Sequence, residues 1–218
     1  MAIIKKGVIG EISGKIGDKI YRVRDGKNIV CKRPASQKIS QTTNSVKNRS
    51  KFAFRIQLAK LIYSTPELSA CWKSAKIKGR NGFQRIIVHN AKQISDTGLT
   101  LQTIITPPGF ATYDNFIKLD KSHIIIQSKP VKEIFDCTFK LIAVLCLYNE
   151  KGSELLLFQS DDVIFNEGSV LKGIISLDPD ELRKITLCNK ALLLSSFLTF
   201  SPELLWSSTI PFEIVMRD

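Results

Sequence analysis

The sequence predicts an α+β protein in two parts. We expect residues 1–95 to form a basic β-hairpin followed by two or three helices, and residues 96–218 to form an antiparallel β-sandwich-like domain. A strong hairpin turn signal and apolar residues at helical spacing indicate the first part. Short β-rich runs with turn residues between them indicate the second. The boundary is placed where the composition changes, near residues 95–98.

The hairpin is predicted from Asp25 and Gly26, which stand between two runs of alternating side chains. A type I′ turn needs positive φ at both central residues, and Asp-Gly is one of the dipeptides that meet this need. Apolar and basic residues alternate around the turn, so we expect one apolar and one basic face. The alternating residues are Tyr21, Arg22, Val23 and Arg24 before the turn, and Ile29, Val30, Cys31 and Lys32 after it.

Three helices are predicted next. The first begins at residue 44 or 45 and runs to about residue 63, with a buried apolar stripe. The second starts at residues 64–67, where a hydroxyl cap, an early proline and an acid in the first turn are typical of a helix N-terminus. The third spans residues 83–92. The stripe of the first helix consists of Phe52, Ile56, Ala59 and Tyr63.

The sequence of the second part predicts strands and one short helical segment. Turn signals such as Pro107-Pro108-Gly109 separate the β-rich runs. Residues 178–185 are interpreted as a helical turn or short helix, because Asp178 and Pro179 suit a helix start. The predicted strands are 99–105, 117–119, 123–127, 138–148, 155–158, 171–176, 191–199 and 210–215.

The charge of the chain is concentrated at one end. Through Lys92 the sequence has 21 Lys and Arg against four acids, whereas the remainder has 11 against 16. Self-repulsion makes such an excess a cost to folding. We therefore expect something acidic to compensate it, and the candidates are a phosphate backbone, a membrane surface and an acidic protein.

We expect no membrane partner among these candidates. The most apolar run, residues 191–200, is interrupted by Ser195 and Ser196 and has half the length of a membrane span. The first residues lack a long apolar segment and a small-residue cleavage site. The expected location is the cytoplasm, or a virion assembled there.

Ten basic residues are the candidate contacts to nucleic acid or to an acidic partner. Three of them repeat every four residues on the first helix and stack along one side of it, in a stretch without acids. The alternative for this side is an ordinary basic surface with no partner. The others lie on the hairpin and in a glycine-containing loop. The ten residues are Arg22, Arg24, Lys32, Arg33, Lys47, Lys51, Arg55, Lys76, Lys78 and Arg80.

No motif indicates catalysis, a metal or a cofactor. The glycine-rich opening lacks P-loop spacing, because Ile9 stands where the first glycine belongs and Ile16 where Ser or Thr belongs. The five cysteines are widely spaced without a C-x-x-C pair, so we expect no disulfide framework or zinc site. The histidines are His89, expected on a helix surface, and His123. We therefore predict a protein that is not an enzyme and has no cofactor or metal.

The N-terminal sequence resembles an uncharacterised bacterial family of about 200 residues. Residues 7–17 read GVIGEISGKIG, followed by GKNIVCKRP and by RSKF leading a helix. Family members open with G-x-x-G-x-x-S-G-K-x-G and an Arg-rich hairpin. The resemblance is clearest over residues 7–62, although Cys31 and Lys32 stand where an Arg-Ser-like pair is commoner. It implies no activity and no functional residues. The chain is also similar in style, more weakly, to small structural proteins of tailed phages and prophages.

Two functional hypotheses follow. The first is a non-enzymatic structural or assembly protein, such as a phage virion component, whose basic N-terminal half docks on an acidic partner. In this case we expect a homo- or hetero-oligomer, and the polar linker at residues 34–43 would let the hairpin add a strand to a neighbouring subunit. The alternative is a sequence-tolerant DNA- or RNA-binding protein that uses the same basic residues.

Overall fold

The structure, a computed structural model, confirms the α+β class. The part of the chain that it describes contains four helices and thirteen strands, and the strands form three antiparallel sheets. Contacts divide the chain into one unit at Met1–Thr42 and a second at Thr43–Asp218. The boundary that we predict between residues 95 and 96 does not coincide with this division. The described residues are 2–4, 13–24, 27–33, 40–120, 122–131, 138–149, 152–161, 163–166, 170–188, 190–200 and 203–215.

The first unit is a four-stranded antiparallel sheet. Its strands are β1 (Ala2–Ile4), β2 (Gly14–Ile16), β3 (Lys19–Arg24) and β4 (Lys27–Lys32), in the spatial order β1-β4-β3-β2. The predicted hairpin is the pair β3–β4, in which Arg24 opposes Lys27. Its predicted turn residues, Asp25 and Gly26, lie outside the described residues.

The two faces of this hairpin differ from our expectation. Tyr21 opposes Val30, and Arg22 opposes Ile29. Because opposed residues share a face of a sheet, the face with Arg22 also carries Ile29, and Lys32 lies on the face of Tyr21. The prediction of one apolar and one basic face is therefore wrong. The cause is the two-residue connection, which pairs odd-numbered residues of β3 with even-numbered residues of β4.

The second unit contains the helices and the other two sheets. Its helices are α1 (Thr43–Ser64), α2 (Pro66–Ser74), α3 (Gly82–His89) and α4 (Pro179–Thr186). None of the helices in the described residues is long and apolar enough to cross a membrane. The strands are β5 (Thr112–Asp120), β6 (His123–Pro130), β7 (Lys140–Asn149), β8 (Gly152–Ser160), β9 (Val163–Asn166), β10 (Val170–Ser176), β11 (Lys190–Thr199), β12 (Leu205–Trp206) and β13 (Ile210–Val215).

The strands of the second unit form two separate sheets. One has the order β5-β6-β10-β9, and the other has the order β12-β11-β7-β8, with β13 also paired to β11. Seven of the predicted strands correspond to β5, β6, β7, β8, β10, β11 and β13. The strand predicted at residues 99–105 is wrong. Its threonines fold the chain into a turn instead, because the hydroxyls of Thr100 and Thr103 both donate to the carbonyl oxygen of Gln93.

Strand β7 contributes side chains to two different hydrophobic clusters. Leu141 and Leu145 pack with residues of β6 and β10, including Ile124. Ile142 and Val144, on the opposite face, pack with the buried side chains of α1, α2 and α3. The helices therefore share a core with strands from the far end of the chain, which is why they belong to the second unit and not with the hairpin.

The helix predicted at residues 178–185 is confirmed as α4. The side chain of Asp178 accepts a hydrogen bond from the backbone N–H of Glu181, and the side chain of Glu181 accepts one from the backbone N–H of Asp178. This capping box satisfies two donors at the start of the helix. Near its C-terminal end, α4 buries Ile185 in the hydrophobic cluster that contains residues of β6, β7 and β10.

Replacing Asp178 should therefore destabilise the second unit by a predictable amount. Asp178→Ala is expected to lower the free energy of unfolding by about 1 kcal/mol, because it removes the N-cap acceptor. Asp178→Asn is the matched control, since asparagine caps as well as aspartate, and it should leave stability nearly unchanged. Urea denaturation of both variants measures the difference, and equal losses would contradict the capping role.

Candidate acidic-partner interface

Helix α1 is long relative to the two helices that pack on it. It has 22 residues and extends about 33 Å, whereas α2 and α3, with nine and eight residues, extend about 14 and about 12 Å. Its buried residues, Leu58, Ala59 and Ile62, all lie in its C-terminal half. The N-terminal half carries no buried residue and presents its side chains to solvent.

The buried stripe predicted on α1 is only partly correct. Ala59 is fully buried, and Ile56 and Tyr63 are half-buried. Phe52 is 55% exposed, so its prediction as a core residue is wrong. The physical reason is the short length of α2 and α3, which does not extend the packing to the first turns of α1.

The three basic residues predicted to stack on α1 have different surroundings. Arg55 Nη2 donates to the carbonyl oxygen of Ala91 at 2.7 Å, and its buried Nε has no hydrogen-bond partner among the described residues. Lys47 Nζ lies 3.7 Å from Asp96 Oδ2 in a solvent-exposed ion pair, which contributes little to stability. Lys51 is half-buried. Arg55 thus ties α1 to the segment after α3, and Lys47 and Lys51 are the members of this row that a partner can reach.

A second group of predicted residues lies exposed on the connection from α2 to α3. Arg85 holds this connection, since its Nη1 donates to the carbonyl oxygens of Trp72 and Lys73, both at 2.9 Å. Its Nε donates to the carbonyl oxygen of Gly79 at 3.3 Å, where a φ of 140° favours glycine. The guanidinium of Arg85 therefore holds the connection in place through hydrogen bonds to its backbone and to the end of α2. Its exposed basic residues are Lys76, Lys78 and Arg80.

The two groups lie at opposite ends of the helical layer. The ring of Tyr63 meets that of Phe83 edge-on at a centroid distance of 5.7 Å, whereas Arg55 reaches Ala91 beyond the end of α3. Helices α1 and α3 are therefore antiparallel, and Lys47 is about 24 Å from Tyr63 along α1. We call Lys47 and Lys51 the α1 patch. We call the basic residues of the α2–α3 connection, Lys76, Lys78 and Arg80, the loop patch.

The predicted residues of the hairpin belong to the first unit. Arg22, Lys32 and Arg33 are exposed, and the side chain of Arg24 lies outside the described residues. Arg22 and Lys32 are on opposite faces of the sheet, so they do not form one contact surface. The backbone N–H of Arg33 donates to the carbonyl oxygen of Asp18 at 2.5 Å, which fixes the end of β4.

The one acidic residue of the helical region forms an ion pair with a lysine of β7. Glu67 is the only acidic residue between positions 43 and 92. Its Oε1 lies 3.7 Å from Lys140 Nζ, and its side chain is only 18% exposed. Lys140 is also 3.1 Å from Asp161, whose carboxylate raises the pKa of that lysine. The helical layer therefore presents basic side chains that its own carboxylate does not neutralise.

A further exposed row on α1 was not predicted from the sequence. Val46, Arg49 and Phe52 follow one another at three-residue spacing, so they lie near one another on the surface of the helix, away from the row of Lys47 and Lys51. Val46 is 41% exposed. The short lengths of α2 and α3 are the signal that could have revealed this row, because they leave the first turns of α1 without a packing partner.

A cleft of about 640 Å³ lies between the chain after α3 and the strands β7, β11 and β13. Lys190 forms an ion pair with Glu213, and the hydroxyl of Tyr148 donates to the carbonyl oxygen of Leu99 at 2.5 Å. Burial raises the pKa of Tyr148 above its usual range. These contacts hold the walls of the cleft together.

His89 differs from its prediction as a helix-surface residue. It is half-buried, and its ring centroid lies 6.1 Å from that of Trp72, while its buried Nε2 has no hydrogen-bond partner among the described residues. Within the same residues, no group of three metal-ligating side chains comes together.

Comparison with protein-family models, with curated proteins and with solved structures finds no match to this chain. The resemblance of residues 7–62 to a bacterial family therefore stays a prediction.

Mutation can distinguish the contribution of the Arg55–Ala91 hydrogen bond to stability from the effect of removing a positive charge. Arg55→Ala is expected to lower the free energy of unfolding by about 1–3 kcal/mol, because the carbonyl oxygen of Ala91 loses a charged hydrogen-bond donor. Lys51→Ala, one helical turn earlier, removes the same charge without this bond and should change stability by less than about 0.5 kcal/mol. Urea denaturation at fixed salt compares the two, and equal effects would refute the structural role of Arg55.

The cysteines should differ in reactivity according to burial. Burial raises the pKa of Cys71 to about 12 and also raises the pKa values of Cys146 and Cys188, whereas Cys31 is half-exposed. Since the thiolate is the reactive form, a Cys137→Ser protein should show one fast thiol toward Ellman's reagent before unfolding. That thiol should disappear in a Cys31→Ser background. More than one fast thiol in the native protein would contradict the burial of the other three.

Proposed function

We propose that this chain is a non-enzymatic structural protein of a multi-subunit assembly, such as a phage virion, and that its basic N-terminal half docks on an acidic protein partner. In this proposal the β-sandwich-like domain predicted at residues 96–218 contacts further proteins of the assembly. The cytoplasm, or a virion assembled in it, is the proposed location.

The charge of the helical layer is the observation that carries the proposal. Residues 43–92 contain eleven Lys and Arg but only one acid, and that acid is engaged by Lys140. The apolar side chains of α1, α2 and α3 pack on β7 and β11, so apart from Arg55 and Arg85, which bond backbone carbonyl oxygens, the layer does not depend on these charges to fold. Like charges held this close repel one another. A partner that supplies carboxylates would lower this repulsion. The charge of the layer therefore favours an acidic partner over a neutral or basic one.

The exposed row on α1 favours a protein over nucleic acid as the partner. Val46 and Phe52 are exposed apolar side chains, six residues apart on the projecting half of the helix. Partner grooves that receive helices bind exposed apolar side chains as anchors. A duplex backbone offers no apolar surface for Val46, whereas an acidic groove lined with apolar side chains accommodates both residues.

Nucleic-acid binding is the second candidate, and the loop patch is the observation that favours it. Lys76, Lys78 and Arg80 lie close together on a connection braced by Arg85. Three cations on a braced loop can neutralise phosphates without a large ordering cost. Binding of this kind would tolerate any sequence and would weaken steeply with salt.

Binding of two polyanions to nuclease-treated protein distinguishes these functions. The probes are poly-L-glutamate and a DNA duplex of the same total charge, each titrated at low, physiological and high salt. The proposal predicts that poly-L-glutamate binds at least as tightly as the duplex at physiological salt. Lys47→Glu with Lys51→Glu should weaken this binding about tenfold or more, by removing and reversing charges at the contact. The matched control is Arg183→Glu with Lys184→Glu, two exposed residues of α4, which should not weaken it.

Two outcomes would contradict the proposal. Duplex binding much tighter than poly-L-glutamate binding, lost when the loop patch is reversed to glutamate, would support nucleic-acid binding instead. Failure of both polymers to bind even at low salt would show that the basic half is not a docking surface. In either case the Val46→Ser and Phe52→Ser variants show whether the exposed apolar row contributes to binding.

A further inference from the structure

The outer face of the sheet β5-β6-β10-β9 carries exposed apolar side chains. Its inner face packs on β7 through residues such as Ile124, Ile126 and Leu171. On the outer face, Phe116 on β5 is 52% exposed and Ile164 on β9 is 50% exposed. The two lie on the opposite edge strands of the sheet.

A bulge in β5 enlarges the apolar part of this face. Tyr113 opposes Lys129, and Phe116 opposes Gln127, so three steps on β5 match two on β6. Without this irregularity, residues three apart would point to opposite faces. Asp114, with a φ of 50°, occupies the bulge and holds Lys129 Nζ at 3.0 Å. The bulge therefore places both aromatic rings on the outer face, where Tyr113 is 49% exposed.

One row across this face has a symmetric pattern. The register opposes Phe116 to Gln127, Gln127 to Lys172, and Lys172 to Ile164. The row therefore runs apolar, polar, polar, apolar from one edge of the sheet to the other. In the next row, Ile125 opposes Ile174 on the two central strands. On the two central strands, the opposed pairs Gln127–Lys172 and Ile125–Ile174 therefore each join residues of like chemical character.

The charges on the face are nearly balanced. Lys118 lies 3.9 Å from Asp120, and Lys129 lies 3.0 Å from Asp114, which leaves Lys172 as the lysine without an ion pair on the described part of this face. A strongly charged partner of either sign would therefore gain little here. A partner with the same mixture of charges and apolar residues fits better.

We propose that two copies of this chain associate face to face through the outer side of the β5-β6-β10-β9 sheet. A two-fold axis parallel to the strands, between β6 and β10, sets each β5 over β9 of the second copy. Phe116 then packs on Ile164 of the second copy, and the amide oxygen of Gln127 accepts from the ammonium of its Lys172. Self-complementarity of one patch is what an isologous interface requires.

The size of the face sets the strength of this dimer. The four strands span about 19 Å across the sheet, and residues 123–129 of β6 span about 20 Å along it. An area of this size is below the range of stable specific interfaces and belongs to weak, transient complexes. The dimer is therefore expected to be reversible and to depend on protein concentration.

Sedimentation velocity of the nuclease-treated full chain over a concentration series tests the proposal. High salt is used so that the basic half is screened. The expected result is a monomer–dimer equilibrium whose dissociation constant rises about tenfold or more in Phe116→Ser, because the substitution removes one aromatic anchor from each copy. Phe200→Ser is the matched control, because Phe200 is also an exposed phenylalanine, at 43%, but follows β11 and lies outside this face, and it should leave the equilibrium unchanged.

A charge exchange tests the geometry independently. Gln127→Lys sets two lysines opposite each other across the interface and should weaken the dimer, whereas adding Lys172→Gln restores the original pairing and the dimer. A chain that stays monomeric at every concentration would overturn the proposal, as would a dimer that is indifferent to both Phe116→Ser and Gln127→Lys. Poly-L-glutamate binding by such a chain would still support the proposed function, so the two failures are distinguishable.

Discussion

Both faces of strand β7 are buried, and the second unit is arranged around this constraint. Leu141, Ala143 and Leu145 need cover on one side, and Ile142 and Val144 need it on the other. Each of these leucine, isoleucine and valine side chains contributes about 1.5–3 kcal/mol when it is removed from water. The sheet β5-β6-β10-β9 covers the first side and the helices α1, α2 and α3 cover the second. A helical region from the N-terminal half is thereby attached to strands near the end of the chain.

Most of the charged residues of the helical layer are therefore not needed for its folding. The layer is held by apolar contacts with β7 and β11, and two of its arginines serve the fold directly. Arg55 and Arg85 both donate to backbone carbonyl oxygens and thereby fix the chain after α3 and the α2–α3 connection. The remaining lysines have no comparable structural task within the described residues. Their repulsion is a cost that the proposed acidic partner would remove.

Local patterns in the sequence predicted what local interactions determine. Seven of the nine strands of the second unit and the cap of α4 at Asp178 were predictable, because period-two apolar runs and capping residues act over a few positions. The exposure of Phe52 was not, because it depends on the lengths of two other helices. The mixed faces of the hairpin follow from the two-residue connection and could have been predicted from it. The shared face of Tyr113 and Phe116 depends on a bulge that their spacing conceals.

The most direct test of this account is the salt dependence of the free energy of unfolding. If the basic helical layer is uncompensated within the chain, screening by chloride should raise the stability of the isolated protein. A variant with Lys76, Lys78 and Arg80 all replaced by glutamine separates this effect from general salting-out, and its stability should rise less. Stability that falls with added salt, or that rises equally in the variant, would contradict the claim that these charges await a partner.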